Sequence, residues 1–187
     1  MSGRSETFDA LFREAADPWG FETSDYERDK HAATLEAVGG GPFRSGLELG
    51  CAFGTLTRGL LPRCHRLTAV DVSRVALDRA RAALPGPGVR WHRADLPERW
   101  PAGAYDLVVV SEFLYFLQAP EIARLAALVR RDAPDARLVL VNWTGHNDLP
   151  LDGERASALF RQGVGRTGWR TVRKDTYRLD VLDQAIR

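Results

Sequence analysis

Short apolar runs alternate along this chain with amphipathic stretches, and that alternation limits its fold more than any other feature. The runs are "GLELG" at 46–50, "RLTAVDV" at 66–72, "VRWHRAD" at 89–95, "YDLVVVSE" at 105–112 and "ARLVLVNW" at 136–143. Between them, "FGTLTRGLL", "SRVALDRARAAL" and "APEIARLAALVRR" place apolar residues three and four apart, which gathers them on one face of a helix. Strands alternating with helices build a mostly parallel sheet covered by helices on both faces, here of about seven strands. Ser73 is placed to cap the second helix, and Pro120 sits in the first turn of the third. The end of the chain, "GWRTVRKDTYRLDVLDQAI" from 168, lacks helical spacing and holds two alternating β-prone stretches. It predicts a closing antiparallel pair.

A length of 187 residues, 44% of them hydrophobic, suits one α/β domain with a sizeable core. We expect a helical lid segment over 1–38, the connection "GGGPFRSG" at 39–46, and the sheet-bearing core from 46 to 187. The 26 Lys and Arg and 25 Asp and Glu are mixed along the chain, so no concentrated field marks it for nucleic acid or an anionic membrane. A small-molecule partner fits better, for a monomer or weak homodimer. No run approaches the eighteen or so apolar residues of a membrane span, and the start lacks the apolar core of a signal peptide. The expected location is the cytoplasm. Cys51 and Cys64 are too few for a disulfide framework and lack zinc-site spacing, so both read as reduced packing residues and no metal is expected. Trp91, Trp100 and Trp143 read as sheet packing, whereas Trp19 and Tyr26 lie in a polar, acidic run without core periodicity. They suggest an exposed cover that closes over a ligand.

The first strand gives way to the first helix in "LELGCAFGTLTRGL", 47–60. In open parallel sheets ligands bind at such strand ends, where small residues admit close approach and helix-start N–H groups offer donors. Gly50, Ala52 and Gly54 form G-x-A-x-G, but a dinucleotide loop wants its last glycine at position 55, which is Thr55. A nicotinamide reductase is therefore disfavoured.

With Glu48 two residues before Gly50, the stretch resembles the E/D-x-G-x-G-x-G loop of class I S-adenosylmethionine-dependent methyltransferases, with Ala52 in the middle position. Three further strand ends extend the resemblance: "AVDVS" with Asp71, "HRADL" with Asp95 and Leu96, and "VVVSEFLYFL" with Ser111 and Glu112. The resemblance implies a Rossmann-like fold and S-adenosylmethionine as cofactor. It places Glu48, Gly50, Cys51, Ala52 and Gly54 around the ligand, Asp71 and Val72 at the ribose, Asp95 and Leu96 at the adenine, and Ser111 facing the methyl donor. An ionised carboxylate pairs naturally with two hydroxyls. Asp71 has a second reading as a cap for the helix starting near Ser73, and Asp95 as turn chemistry before Leu-Pro.

A narrower resemblance lies in "DPWGFETSDYERDKHAATLEAV", 17–38, which is similar to the entry segment of the nodulation protein S family of N-methyltransferases. Trp19, Phe21, Tyr26, Glu27 and Lys30 fit that family's pattern D-P-W-x-[YF]-x-[TS]-x-x-Y-E-x-x-K/R. The resemblance implies a segment that covers donor and acceptor sites, with Trp19 and Tyr26 over the cofactor. It also implies an amine acceptor of the amino-sugar or oligosaccharide kind, as in a deacetylated chitin-like chain. Methyl transfer from an activated sulfonium is an in-line displacement, so positioning does most of the chemistry. Candidate proton acceptors are Glu112, Tyr115 in the following turn, and His146 with Asp148 in "NWTGHNDLPLDGERA". Asp148 and Asp152 stand as candidates to bind a cationic or sugar-like acceptor. Other readings are O-methylation of a hydroxyl, carboxylate or phosphonate, His146 as a solvated loop residue, and a binding protein that catalyses nothing.

Overall fold

Every apolar run of the sequence lies as a strand in one sheet of the computed structural model, which describes residues 3–185. Two helices come first, α1 (Gly3–Glu14) and α2 (Asp25–Val38). The sheet then begins with β1 (Gly46–Leu49), α3 (Thr55–Leu60), β2 (Leu67–Asp71), α4 (Arg74–Ala83) and β3 (Val89–Arg93). It continues with β4 (Leu107–Ser111), α5 (Ala119–Asp132), β5 (Arg137–Trp143), α6 (Gly153–Val164), β6 (Arg170–Arg173) and β7 (Tyr177–Leu182). The strand order is β3-β2-β1-β4-β5-β7-β6, with β1 to β5 parallel and β7 antiparallel to both of its neighbours. The expected closing antiparallel pair is the β6–β7 hairpin.

The central strand β4 is apolar from Leu107 to Val110 because both faces of the sheet are covered. Leu107 and Val109 pack with Leu56 and Leu60 of α3 and Leu77 of α4. The residues alternating with them, Val108 and Val110, pack on the other face with Ile122, Leu125 and Val129 of α5 and Phe160 of α6. Each such side chain, fully buried, contributes about 1.5–3 kcal/mol. Of the helix signals, Ser73 caps α4 by accepting from the Ala76 N–H, and Pro120 sits in the first turn of α5.

The segment after β5, expected as a loop around His146, Asp148 and Asp152, contains α6. Ala156, Phe160 and Val164 recur every four residues and are buried, and Gly165 ends the helix in the left-handed region. Asp152 is the N-cap, its Oδ1 accepting the Arg155 N–H at 2.7 Å. Its expected role in binding an acceptor is corrected to that of a structural cap.

The N-terminal helices are held against the C-terminal ends of the parallel strands by polar contacts. Asp9 accepts from the Ser73 hydroxyl at 2.5 Å, and Arg79 donates to the Phe12 and Ala16 carbonyls at the end of α1. Arg4 links α1 to two further segments, donating to Asp95 at 3.0 Å and to Glu121 at the start of α5 at 2.7 Å. Helix α2 packs on α3 and β5 and sends Val38 into the core.

Candidate active site

The strand order reverses between β1 and β4, and a cavity of about 550 Å3 opens at that point, beyond the strand ends and under α1 and α2. This is where the topology of an open α/β sheet leaves a crevice.

The turn after β1 is shaped by the chain itself. Gly50 has φ +85°, and a Cβ there would lie 2.3 Å from the Ser111 carbonyl oxygen of β4, so the glycine is required by the neighbouring strand. Ala52 also has positive φ, and its N–H donates to Asp71 Oδ2 at 2.9 Å. Asp71 Oδ1 accepts the Ser73 N–H at 2.8 Å. The carboxylate thus ties the β1 turn to the β2 end and lines the cavity, where its remaining acceptor capacity faces a ligand. Burial raises the Asp71 carboxyl, against the backbone N–H groups that hold its charged form. Ser73, not Asp71, is the residue that caps α4 through its side chain.

Glu48 is fully buried at the foot of the cavity, where its Oε2 accepts the Thr57 hydroxyl at 2.6 Å and its Oε1 has no protein partner. Burial pushes its carboxyl up to about 7. Cys51, Val72, Leu96 and Ser111 are on the wall as expected. Burial also drives the Cys51 thiol well up, so it is no nucleophile. Asp95 is on the wall with its carboxylate engaged by Arg4, a partner the sequence reading did not supply. Gly54 is off the wall. Its φ of +79° and its closeness to Trp91 and Ala80 serve the packing of the turn, which corrects the expected ligand contact.

Trp19 lines the opening, 43% exposed, with ring contacts to Phe12 and Phe21 at 5.5 Å. Phe53 completes this patch, meeting Phe12 and Phe21 edge-on. Tyr26 is on the wall as expected, whereas Phe8 and Phe12 of α1 were not singled out in the sequence.

The other side of the cavity is a buried polar cluster. Glu112 has φ +57°, unusual for a residue with a Cβ, and its carboxylate is held from three directions. Oε2 accepts the Tyr115 hydroxyl at 2.6 Å and the Trp143 N–H at 2.9 Å, while Lys30 Nζ lies 2.7 Å from Oε1. Lys30, only 4% exposed, also donates to Glu27 Oε1 at 2.8 Å. Burial pulls the Lys30 ammonium down, but the Glu112 charge and the hydrogen bonds it donates to both carboxylates outweigh this and leave it raised. Burial raises the Glu27 carboxyl despite Lys30, and it drives the Tyr115 hydroxyl far up, with Glu112 adding to the effect. Glu112 and Tyr115 are where the sequence put them, facing the cavity, but they are bonded to each other. The Glu27–Lys30 brace was quoted as pattern and given no role. Its readable signal was an acid and a base three residues apart on one helix.

His146 lies outside the cavity wall with its side chain 93% exposed, 3.7 Å from an equally exposed Asp148. Solvated on both sides, the pair is not placed to receive a proton from a substrate, which corrects both expectations; Asn147 and Leu149 reach the wall instead.

A Rossmann-like sheet whose glycine turn, β2 acid and β4 tip bound one cavity defines the class: this is the fold of the S-adenosylmethionine-dependent methyltransferases. The model of the nodulation protein S family matches residues 5–143, and the chain belongs to that family. It is 37% identical over 140 residues to nodulation protein S of Rhizobium tropici, covering 72% of this chain and 59% of that one. To the Sinorhizobium fredii protein it is 36% identical over 135 residues, 69% of this chain and 62% of the relative. The chain therefore spans about three fifths of the length of these relatives. Among solved structures, a methyltransferase fold from Pseudomonas syringae superposes with a TM-score of 0.72 at 33% identity, over 83% of this chain and 97% of that one. The N-methyltransferase NodS of Bradyrhizobium japonicum in complex with S-adenosyl-L-homocysteine superposes with a TM-score of 0.79 at 24% identity, over 95% and 98% of the two chains. At that identity the likeness speaks for the fold.

Proposed function

We propose that this chain transfers a methyl group from S-adenosylmethionine to an amine on a small, amino-sugar-like molecule, as a monomer or weak homodimer in the cytoplasm. The observation that carries this reading is the acid surplus of the cavity. Its wall has the carboxyl groups of Glu27, Glu48, Asp71, Asp95 and Glu112 against the cations of Arg4 and Lys30. Such a wall favours a sulfonium donor and a cationic acceptor together. The donor supplies an already activated methyl group; the residues of the chain supply place and dryness. Asp71 keeps acceptor capacity toward the cavity, Glu48 Oε1 lacks a donor, and the Phe12, Trp19, Phe21 and Phe53 patch offers flat apolar surface that excludes water.

Calorimetry with S-adenosylhomocysteine and with NADH, followed by methyl-transfer assays on glucosamine and its β-1,4-linked oligomers, tests the reading. Binding of the first ligand alone, with transfer to nitrogen, is the expected result. Transfer only to hydroxyl, carboxylate or phosphonate acceptors would move the reaction to oxygen. Binding without transfer to any of them would leave a binding protein.

A further inference from the structure

An amine reaches the donor with one proton too many, because only the neutral nitrogen has a lone pair, and the cavity must take that proton. Most of its titratable groups are engaged or unsuited. Glu112 already receives Tyr115, the Trp143 N–H and Lys30, and the Tyr115 hydroxyl is a donor to Glu112 held far up by burial. His31 is half-buried on the wall and brought down to about 4 by desolvation and by Lys30, which makes it a poor base near neutrality. His146 is outside. Glu27, Glu48 and Glu112 each have one oxygen without a hydrogen-bond partner. Lys30 Nζ stands 2.7 Å from the one on Glu112 and Glu48 lies at the foot of the cavity, whereas Glu27 Oε2, on a side chain 6% exposed that lines the cavity, has no cation against it. The nearest ring nitrogen, His31 Nε2, is 4.0 Å away, beyond hydrogen-bond reach. A buried carboxylate oxygen left without a donor is where a ligand N–H belongs.

We propose that Glu27 Oε2 receives the acceptor's amino group and takes its proton, while Lys30 holds Oε1 in place. The proposal rests on the amine reading above. An N–H bond of the ammonium breaks and an O–H bond forms on Glu27, leaving a neutral amine. The nitrogen lone pair then forms the N–C bond as the S–C bond breaks, its electron pair staying on sulfur. A methylammonium and S-adenosylhomocysteine result, and the proton on Glu27 leaves to solvent with the products. Burial favours the protonated carboxyl, and Lys30 opposes that by favouring the charged form. The groups that face Glu27 are Tyr26, Lys30 and His31 of α2, Glu112 and Tyr115 beyond β4 and Asp17 before α2. Lys30 is the one cation among them at neutral pH.

The test compares wild type, Glu27→Gln and Glu27→Asp for S-adenosylhomocysteine affinity by calorimetry, melting temperature, and methyl transfer to glucosamine and its oligomers between about pH 6 and pH 9. Glu27→Gln is expected to lose about 10²–10⁴-fold in kcat with its affinity for S-adenosylhomocysteine within about twofold of wild type. The deficit should shrink as pH rises, because solution then supplies the free amine. Glu27→Asp, which keeps the charge but withdraws it by one methylene, should recover part of kcat at every pH. A Glu27→Gln enzyme with wild-type kcat and pH profile overturns the proposal and leaves the amine reading intact. So does a parallel loss of melting temperature, donor affinity and activity that Glu27→Asp does not relieve, which is the mark of a structural role. A wild-type protein that binds S-adenosylhomocysteine yet methylates no amine overturns both.

Discussion

On the Gly50 side of the cavity, the turn after β1 is fixed by nearby chain: the hydrogen bond from the Ala52 N–H to Asp71 spans 19 residues and uses a backbone N–H. On the Lys30 side, Glu27, Lys30, Glu112, Tyr115 and Trp143 come from α2, the end of β4, the turn after it and β5, and they meet mainly through side chains. The first kind of wall is fixed by local backbone geometry and tolerates few residues at Gly50. The second depends on charges from distant segments staying balanced in a dry place. Disturbance of the Asp71 turn should therefore read out in ligand affinity, and disturbance of a buried charge, as at Lys30 or Glu48, in folding stability.

The largest effect is expected on the Lys30 side. Lys30→Met removes the cation shared by two buried carboxylates and leaves both without a counter-charge, which costs about 3–5 kcal/mol. Thermal unfolding should show it as a drop of roughly 6–20 °C for a chain of this size. The loss should ease as pH falls through the carboxylate range, since a proton on either Glu27 or Glu112 removes one charge. A Lys30→Met protein that melts like wild type would break the comparison at its centre.

Next in size is a pH effect from the Gly50 side. Burial raises the Glu48 carboxyl from 4.5 to about 7, so the folded protein holds this proton more tightly than the unfolded chain does. Stability from this group is present below about pH 4.5 and declines as pH rises through 7, by about 3 kcal/mol in all. Glu48→Gln keeps the volume and an acceptor for the Thr57 hydroxyl but never ionises. Denaturant unfolding at about pH 5 and pH 8 should find the variant flatter across that window and more stable than wild type at the upper end. Equal slopes in the two proteins would mean that water reaches Glu48 and relieves its burial.

A smaller effect, confined to ligand affinity, is expected at Asp71. Asp71→Ala should weaken S-adenosylhomocysteine binding by about 1.5–3 kcal/mol, the cost of losing a charge-assisted partner, or about 10- to 150-fold by calorimetry. Unchanged affinity would remove Asp71 from the ligand's contacts and reduce it to a brace for the turn.

The same contrast explains what could be read from the sequence. The parallel strands, the β1 turn, Asp71 and the β4 tip were legible because apolar runs, small residues and strand-end acids are neighbours in sequence. The hairpin of β6 and β7 was legible from its alternation. Helix α6 was missed, although Asp152 and Gly165 bracket an apolar repeat, because the polar "NWTGHNDLPLD" before it reads as open loop. Phe8 and Phe12 were passed over since nothing in the sequence says that α1 lies across Phe53. Asp95 was found but its partner was not, because Arg4 reaches it from 91 residues away. Glu112 was given a catalytic part on its position alone; that its carboxylate is already occupied depends on Lys30 and Trp143, which only the folded chain brings near.

The smallest expected effect belongs to His146, and it separates a residue near the cavity in sequence from one on its wall. The loop between β5 and α6 sends Asn147 and Leu149 to the wall, yet the His146 imidazole points to solvent with 93% of its surface exposed. An exposed side chain whose one ion-pair partner is a fully exposed Asp148 contributes little to stability, since water competes for both groups and salt screens them. His146→Ala should therefore melt within about 0.5 kcal/mol of wild type. If methyl transfer needs only the groups that line the cavity, kcat and KM should both stay within about twofold across the pH range in which an imidazole titrates. A tenfold fall in kcat with KM unchanged would show that this loop folds inward when both substrates are bound, and would place a third contributor on the Lys30 side. An unchanged profile would restrict proton transfer to the α2 and β4 residues, where Glu27 has the unoccupied oxygen.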